Sequence, residues 1–270
     1  LQPTRNVRSA LPRRTVSSRH RISCEPTSPP SAYVPQARRY SALAERLEPG
    51  RLYQPREAIE LLKEVSTVKF DETVELHLRT NSDPRHADQM VRGVTVLPHG
   101  LGKPVRVLVF ASSEAMEIAR EAGADYVGED DLIARIEGGW MDFDVGLAVP
   151  QVMPKIGRLG RILGRSGLMP NPRSGTMVQP QDLPRVIREA KAGRLEYRTD
   201  RTAIIHCPVG KVSFGAEQLL GNLSAVVDAI LRAKPDAIKG PFLRSAFLTT
   251  TMGPSVAMDL AGLQALRLRE

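Results

Sequence analysis

The sequence predicts a two-domain protein of mixed α+β and α/β type, in which both chain ends form one domain and the second is inserted between them. A chain of 270 residues is long for one domain and suits two. Strands with one polar face occur on both sides of residues 100–191, whereas continuous apolar strands alternate with helices inside that range. We therefore expect a discontinuous domain at 37–99 and 192–270, an inserted domain at 100–191, and a leader at 1–36.

The outer domain is predicted from helices and strands that have one apolar face and one polar face. Pro55 begins a helix whose apolar residues fall on one side. Residues 73–80 alternate apolar and polar side chains, which is typical of a half-exposed strand. The remaining elements expected in this domain are strands at 91–97, 195–199, 203–206 and 242–250, and a helix at 219–233.

The inserted domain is predicted from a change of pattern. Residues 105–110 form a continuous apolar run, which indicates a strand buried on both faces. Apolar strands that alternate with helices predict a parallel sheet covered on both sides. The elements expected after the first strand are helices at 113–121, 130–136 and 183–192, and short strands at 123–127 and 145–149.

Residues 1–36 resemble a transit peptide. They carry six arginines and one acidic residue, and the segment is rich in Ser and Pro. The alternative is a disordered basic arm that binds RNA. The order Ile22-Ser23-Cys24-Glu25 resembles a plastid processing site and Arg38-Arg39-Tyr40-Ser41 a mitochondrial one. The sequence favours import into a plastid over a mitochondrion.

Composition excludes several classes of protein. The two cysteines, Cys24 and Cys207, form neither a disulfide framework nor a zinc motif, and no apolar run reaches the length of a membrane span. The five histidines show no metal spacing, and no catalytic constellation stands out, so we expect no enzyme, cofactor, metal or small-molecule substrate. The net charge of +8 suggests a nucleic-acid partner, while the 4% aromatic content argues against aromatic stacking platforms.

A basic stretch rich in glycine lies inside the inserted domain. Residues 151–191 carry eight basic and two acidic residues, whereas residues 100–150 carry four and ten. The glycines between 157 and 167 do not follow the dinucleotide-binding spacing, so nucleotide binding is the weaker interpretation. We expect a flexible loop that contacts phosphates. Its candidate contacts are Lys155, Arg158, Arg161, Arg165 and Arg173.

Two segments of the outer domain have unusual residue patterns. In Lys69-Phe70-Asp71-Glu72-Thr73, an aromatic ring stands beside a cation and a hydroxyl, although such a ring is more often part of a core. Thr249-Thr250-Thr251-Met252-Gly253-Pro254 offers hydroxyls on both faces of a strand and then ends it abruptly. A solvated edge strand explains the second segment structurally, and recognition of RNA phosphate and ribose explains it functionally.

Ordered motifs along the chain resemble the bacterial form of the ribosomal protein L1 family. The resemblance is colinear from about Arg38 to Val256. It rests on Gly160-Arg161-Ile162-Leu163-Gly164, Gly167-Leu168-Met169-Pro170-Asn171-Pro172, Lys69-Phe70-Asp71-Glu72-Thr73, Leu97-Pro98-His99-Gly100, Gly210-Lys211-Val212-Ser213-Phe214 and Thr250-Thr251-Met252-Gly253-Pro254. One departure is Gly164-Arg165-Ser166-Gly167, where the family usually has a proline followed by arginine; its loss frees the backbone there.

The resemblance implies a fold, a function and a set of contacts. The outer domain would be a split, RRM-like α+β domain that binds RNA, and the insert a Rossmann-like domain. The implied function is that of a structural component of the large ribosomal subunit. Its partners would be rRNA of the mobile side stalk, exit-site tRNA and other subunit components. The implied RNA contacts are Lys69, Phe70, Glu72, Thr73, His206, Lys211, Arg244, Ser245, Thr251, Met252 and Gly253.

Two other functions remain as alternatives. Bacterial members of the family can repress translation by binding a stalk-like fold in their own message, so a regulatory RNA-binding protein is the first. A nucleotide-binding enzyme is the second, and the missing fingerprint counts against it. The segment before about Gln36 has no counterpart in bacterial members, which implies an organellar form of the protein.

Overall fold

The computed structural model describes residues 38–48 and 50–266, so the predicted leader at 1–36 lies outside the described residues. The α-helices of the described part are α1 (Arg38–Ala44), α2 (Pro55–Val65), α3 (Ser113–Glu121), α4 (Asp130–Glu137), α5 (Met153–Ile156), α6 (Gly160–Ser166), α7 (Leu183–Gly193), α8 (Ala216–Arg232) and α9 (Leu260–Ala265). Its strands are β1 (Thr73–Thr80), β2 (Arg92–Val96), β3 (Val107–Phe110), β4 (Tyr126–Gly128), β5 (Val145–Ala148), β6 (Arg194–Arg198), β7 (Ile204–Lys211), β8 (Leu243–Thr250) and β9 (Val256–Met258).

A four-stranded antiparallel sheet, which we call the outer sheet, joins segments from both sides of residues 100–191, in the order β7-β1-β8-β9. We call residues 100–191, as a stretch of the chain, the insertion. Alternate side chains such as Leu76, Leu78 and Leu248 are fully buried, and they pack with the apolar residues of α2 and α8. The opposite side of the sheet, which we call the open face, carries partly or fully exposed side chains. These are Glu75, His77 and Arg79 of β1, His206 of β7, and Ser245, Phe247 and Thr249 of β8.

A three-stranded parallel sheet, ordered β4-β3-β5, lies within the insertion. Val107 and Val109 of β3 belong to the apolar cluster that contains α3 and α7. Leu108 and Phe110 point the other way, into the cluster that contains α4 and α6. Burial on both faces explains why this strand is a continuous apolar run. The predicted parallel sheet with helices on both sides is confirmed.

Two crossings connect the sheets. β2 pairs with β6 in a two-stranded antiparallel ribbon, and the Leu97 amide donates to the Gly193 carbonyl at 3.1 Å. Asn222 of α8 is fully buried beside this crossing. Its side-chain oxygen accepts from the His99 amide at 3.0 Å, and its side-chain nitrogen donates to the Gly100 and Val209 carbonyls at 2.9 and 2.7 Å. One side chain therefore satisfies three backbone groups where the chain leaves the outer sheet.

Outside the basic stretch every predicted helix and strand is present, although some bounds differ, and the strand predicted at 123–127 lies at 126–128. The strand at 73–80 and the helices that begin at Pro55 and Ser113 are confirmed. The flexible loop predicted at 157–167 is wrong, because this segment is helical, with a 3-10 turn at Gly157–Leu159 followed by α6. Ile156, Leu159 and Leu163 are buried at helical spacing, and their burial outweighs the poor helix propensity of the glycines.

Strand β7 extends beyond its predicted end to Lys211 and includes Pro208. The proline is tolerated because β7 is an edge strand and because the register against β1 shifts at this point. β9 and the short helices α1 and α9 were not predicted. Within the described residues, no helix has both the length and the apolar character needed to cross a bilayer.

We expect Gly193→Ala to be far more destabilising than Gly139→Ala. Both glycines have positive φ, at +114° and +95°, so either substitution costs about 1 kcal/mol of backbone strain. A Cβ at 193 would lie 2.5 Å from Gly100 Cα, whereas nothing lies within 4 Å of a Cβ at 139. The clash should add roughly 1–3 kcal/mol. Urea unfolding of both variants measures the difference, and equal losses would contradict the close approach.

Candidate nucleic-acid interface

The turn at residues 251–253 is held from two sides. The Met252 amide donates to the Glu72 carboxylate at 2.8 Å, and the Ser66 hydroxyl donates to the other carboxylate oxygen. Arg39 of α1 donates to the Met252 carbonyl at 3.2 Å. Glu72 is only 1% exposed, so it has no surface to offer a ligand, whereas Met252 is 50% exposed. Glu72 therefore positions the turn, and the Met252 side chain is presented to the outside.

A cluster of hydroxyls and one ammonium group lies beside this turn. The Thr73 amide donates to the Thr251 hydroxyl oxygen at 3.1 Å. Lys211 donates to the Thr73 hydroxyl at 2.8 Å and to the Asp71 carbonyl at 3.4 Å. We call Thr73, Lys211 and Thr251 the hydroxyl cluster. Phe70, which precedes it, is 54% exposed and therefore is not a core residue.

Residue 253 must be glycine because of a contact within the protein itself. A Cβ there would lie 2.3 Å from the Thr250 hydroxyl oxygen. Thr250 is 4% exposed, and among the described residues this buried hydroxyl has no hydrogen-bond partner. A side chain at residue 253 is therefore excluded by Thr250.

Two histidines occupy the middle of the open face. His77 and His206 are directly opposite each other on β1 and β7, with their Nδ1 atoms 2.7 Å apart. His77 Nε2 lies 2.9 Å from the Thr249 hydroxyl, and His206 Nε2 lies 3.6 Å from the Asp200 carboxylate. Burial and then the neighbouring His206 lower the pKa of His77, although Glu75 opposes this. His206 was predicted as a contact; His77 was missed because nothing in the sequence pairs it with His206.

The Asp200 carboxylate accepts hydrogen bonds from residues of the turn that leads into β7. Partial burial raises the pKa of its carboxyl, but hydrogen bonds from the amides of Ile204 and Thr202, from the Thr202 hydroxyl and from His206 outweigh burial and lower it to about 2. Asp200 is therefore a stable anion beside His206. In the described part of the chain, no group of three or more His, Cys, Asp or Glu residues is arranged to hold a metal ion.

Two further predicted RNA contacts, Arg244 and Ser245, lie at the other end of the open face. Arg244 donates to the side-chain oxygen of Asn81, and Ser245 lies opposite Arg79 of β1. The open face and its ends thus bring together predicted contacts from four separate segments, at 69–73, 206–211, 244–245 and 251–253.

The predicted contacts of the inserted segment lie elsewhere. Lys155 of α5 pairs with Glu129 at 2.7 Å and with Asp130 at 3.2 Å, and hydrogen bonding to Glu129 and then Asp130 raises its pKa. Its charge is therefore already matched by two carboxylates. The remaining four are exposed, and no hydrogen bond or ion pair found among the described residues ties their side chains to the open face; they are Arg158, Arg161, Arg165 and Arg173.

An arginine cleft was missed by sequence reasoning. Arg92, Arg173 and Arg198 line a cavity of about 400 Å³ together with Met90. Arg92 and Arg198 are directly opposite on β2 and β6, and like charges in that position disfavour pairing. Arg92 also binds Glu196, its guanidinium Nε donating at 2.8 Å, whereas Arg198 has no ion pair within the described chain. The cleft is visible only after the strands are paired.

Known proteins resemble this chain over most of its length. The model of the ribosomal protein L1p/L10e family matches residues 62–254. The large ribosomal subunit protein uL1 of Chloroflexus aggregans is 56% identical over 232 residues, covering 86% of this chain and 98% of the relative. That of Thermomicrobium roseum is 56% identical over 225 residues, covering 83% and 93%. That of Dehalococcoides mccartyi is 52% identical over 233 residues, covering 86% and 98%. The chain belongs to the ribosomal protein L1 family, and it is of the bacterial type.

Proposed function

We propose that the protein is a structural component of the large ribosomal subunit that binds the rRNA of the mobile side stalk through its open face. The observation that carries this proposal is that predicted contacts from four segments lie along this one face and its ends. The relatives are named as large-subunit proteins, which supports it. Membership of a ribosomal protein family also means that the chain is not an enzyme.

The proposed contact relies on hydrogen bonding and shape more than on net charge. The hydroxyl cluster offers two hydroxyls and one ammonium, groups that suit phosphate oxygens and ribose hydroxyls. Met252 and Phe70 are exposed beside it and supply apolar surface for a sugar or a base. Because Glu72 and Arg39 hold the turn in place, little ordering is needed when RNA binds.

The division of labour between the two parts is also a proposal. We assign RNA binding to residues 37–99 and 192–270, in an RRM-like arrangement, and treat residues 100–191 as a Rossmann-like insert. Support comes from the antiparallel sheet with helices on one side, in contrast to the parallel sheet that is covered on both. We further propose that the protein acts in an organelle, a plastid before a mitochondrion, on the composition of residues 1–36.

The arginine cleft is our candidate for the second RNA partner. We propose that it contacts deacylated tRNA during its movement through and release from the exit site. Glu196 already pairs with Arg92, but Arg198 opposite it has no ion pair within the described chain, so an anionic ligand would offset the remaining repulsion. The exposed Met90 at the rim adds apolar surface suited to an unpaired base.

We expect Thr251→Val and Lys211→Ala to weaken binding of a stalk rRNA fragment in different ways. Thr251→Val keeps the side-chain shape but removes the hydroxyl, including its bond from the Thr73 amide, which should cost about 1–3 kcal/mol of binding without changing the salt dependence. Lys211→Ala should reduce the slope of log affinity against log salt by about one unit. Fragment affinity across a salt series measures both.

The matched control for this pair is Lys63→Ala, on the helical side of the sheet, which should leave affinity and slope unchanged. Circular dichroism checks folding. If Thr251→Val binds like the parent at every salt concentration, the turn is only a structural edge and the RNA face lies elsewhere.

We expect Arg198→Ala to reduce occupancy of the exit site by deacylated tRNA several-fold, while affinity for the stalk rRNA fragment stays the same. The reason is that Arg198 lies in the cleft and not on the open face. Ribosomes that carry the variant are assayed by filter binding of labelled tRNA, with Arg120→Ala of α3 as the control. Equal occupancy for the two variants would show that the cleft has no part in tRNA binding.

A further inference from the structure

The histidine pair at the centre of the open face has an unusual constraint on its protons. The two Nδ1 atoms, 2.7 Å apart, are close enough to share a hydrogen bond, so one must donate and the other accept. If both imidazoles were charged, two N–H groups would point at each other. While the contact holds, His77 and His206 together carry at most one positive charge.

The surroundings determine where that charge resides. Asp200, in the turn before β7, lies 3.6 Å from His206 Nε2, and the His206 side chain is 50% exposed. His77 is more buried, with its Nε2 2.9 Å from the Thr249 hydroxyl of β8 and 3.9 Å from the Glu75 carboxylate of its own strand. Phe247 of β8 lies opposite His77 and brings no charge, and Arg79 is two residues further along β1. The extra proton is therefore best placed on His206, with His77 accepting its hydrogen bond.

We propose that His77 and His206 form a phosphate-contact site that binds an RNA phosphodiester together with one proton. The inference rests on the proposed function of the open face. A phosphate brought near the pair favours its charged form, so binding of RNA is coupled to uptake of a proton. Thr249, whose hydroxyl oxygen lies 2.9 Å from His77 Nε2, supplies a hydroxyl for another oxygen of the same phosphate.

The direction of the pH effect follows from this linkage. Imidazole is the side-chain group whose ordinary titration range lies between about pH 5 and 8, so a proton shared by two imidazoles can be gained or lost in that range. Because binding takes up a proton, affinity for RNA rises as the pH falls from 8 towards 6. A single proton limits the gain to about tenfold per pH unit. Two independent histidines would permit a steeper dependence.

The test is the affinity of a stalk rRNA fragment at pH 8, 7 and 6, in buffer with a metal chelator, for the full chain and two variants. His206→Asn keeps a nitrogen able to bond His77 but cannot be charged. His86→Asn is the control, since His86 is an exposed histidine in the turn that leads to β2. We expect on the order of tenfold tighter binding at pH 6 than at pH 8 for the parent and for His86→Asn, and a nearly flat profile for His206→Asn.

Calorimetry of the parent chain in two buffers with different heats of ionisation gives a measure that needs no variant. Uptake of up to one proton on binding at pH 7 supports the proposal. Absence of uptake, or parallel pH profiles for the parent and His206→Asn, overturns it while leaving RNA binding by the open face intact. Failure of the parent chain to bind the fragment at any pH would instead overturn the proposed function, and this inference with it.

Discussion

The double crossing between the outer sheet and the insertion is the constraint on which the rest of the structure depends. Strand β1 precedes the insertion in the sequence, whereas β7 and β8 follow it. The four strands can therefore pair only if the chain returns close to the point where it left the sheet. At that point the Gly193 and Gly100 backbones lie too close together to admit a Cβ at 193. Asn222 satisfies three polar backbone groups that the crossing would leave unpaired, one of them buried.

Closure of this sheet creates the candidate site. His77 and His206, 129 residues apart, become neighbours only through the pairing of β1 with β7. The turn at 251–253 reaches the hydroxyl cluster through a bond between Thr251 and Thr73, which are 178 residues apart. The arginine cleft depends in the same way on the pairing of β2 with β6 across the insertion. A change at the crossing should therefore affect both surfaces together.

How far the sequence predicts this structure depends on how local each signal is. The helix at Pro55 and the strand at 73–80 follow from periodicity, which lies within each segment. The prediction of a loop at 157–166 was wrong because the glycines and arginines of this segment are typical of loops. The burial of Leu159 and Leu163, which favours the helix, comes from contacts with distant elements. Glu72 was predicted as an RNA contact, yet its carboxylate is turned inward to Met252, which no local pattern reveals. The histidine pair and the arginine cleft need strand register, and single-sequence patterns do not contain it.

The charges of the open face explain why the overall net charge is a poor guide to function here. Lys211 is held by Thr73 and Asp71, and Arg244 by Asn81, so these cations are already positioned before any ligand arrives. Glu75 and Asp200 place carboxylates beside the two histidines, which limits the positive potential of the face. A surface with strong unscreened positive charge attracts any polyanion. A surface of fixed hydroxyls with few cations suits recognition by geometry instead, because each donor must meet an acceptor at a set position. On this argument, the proposed preference for one RNA shape depends on the rigidity of the sheet, and that rigidity comes from the crossing that closes it.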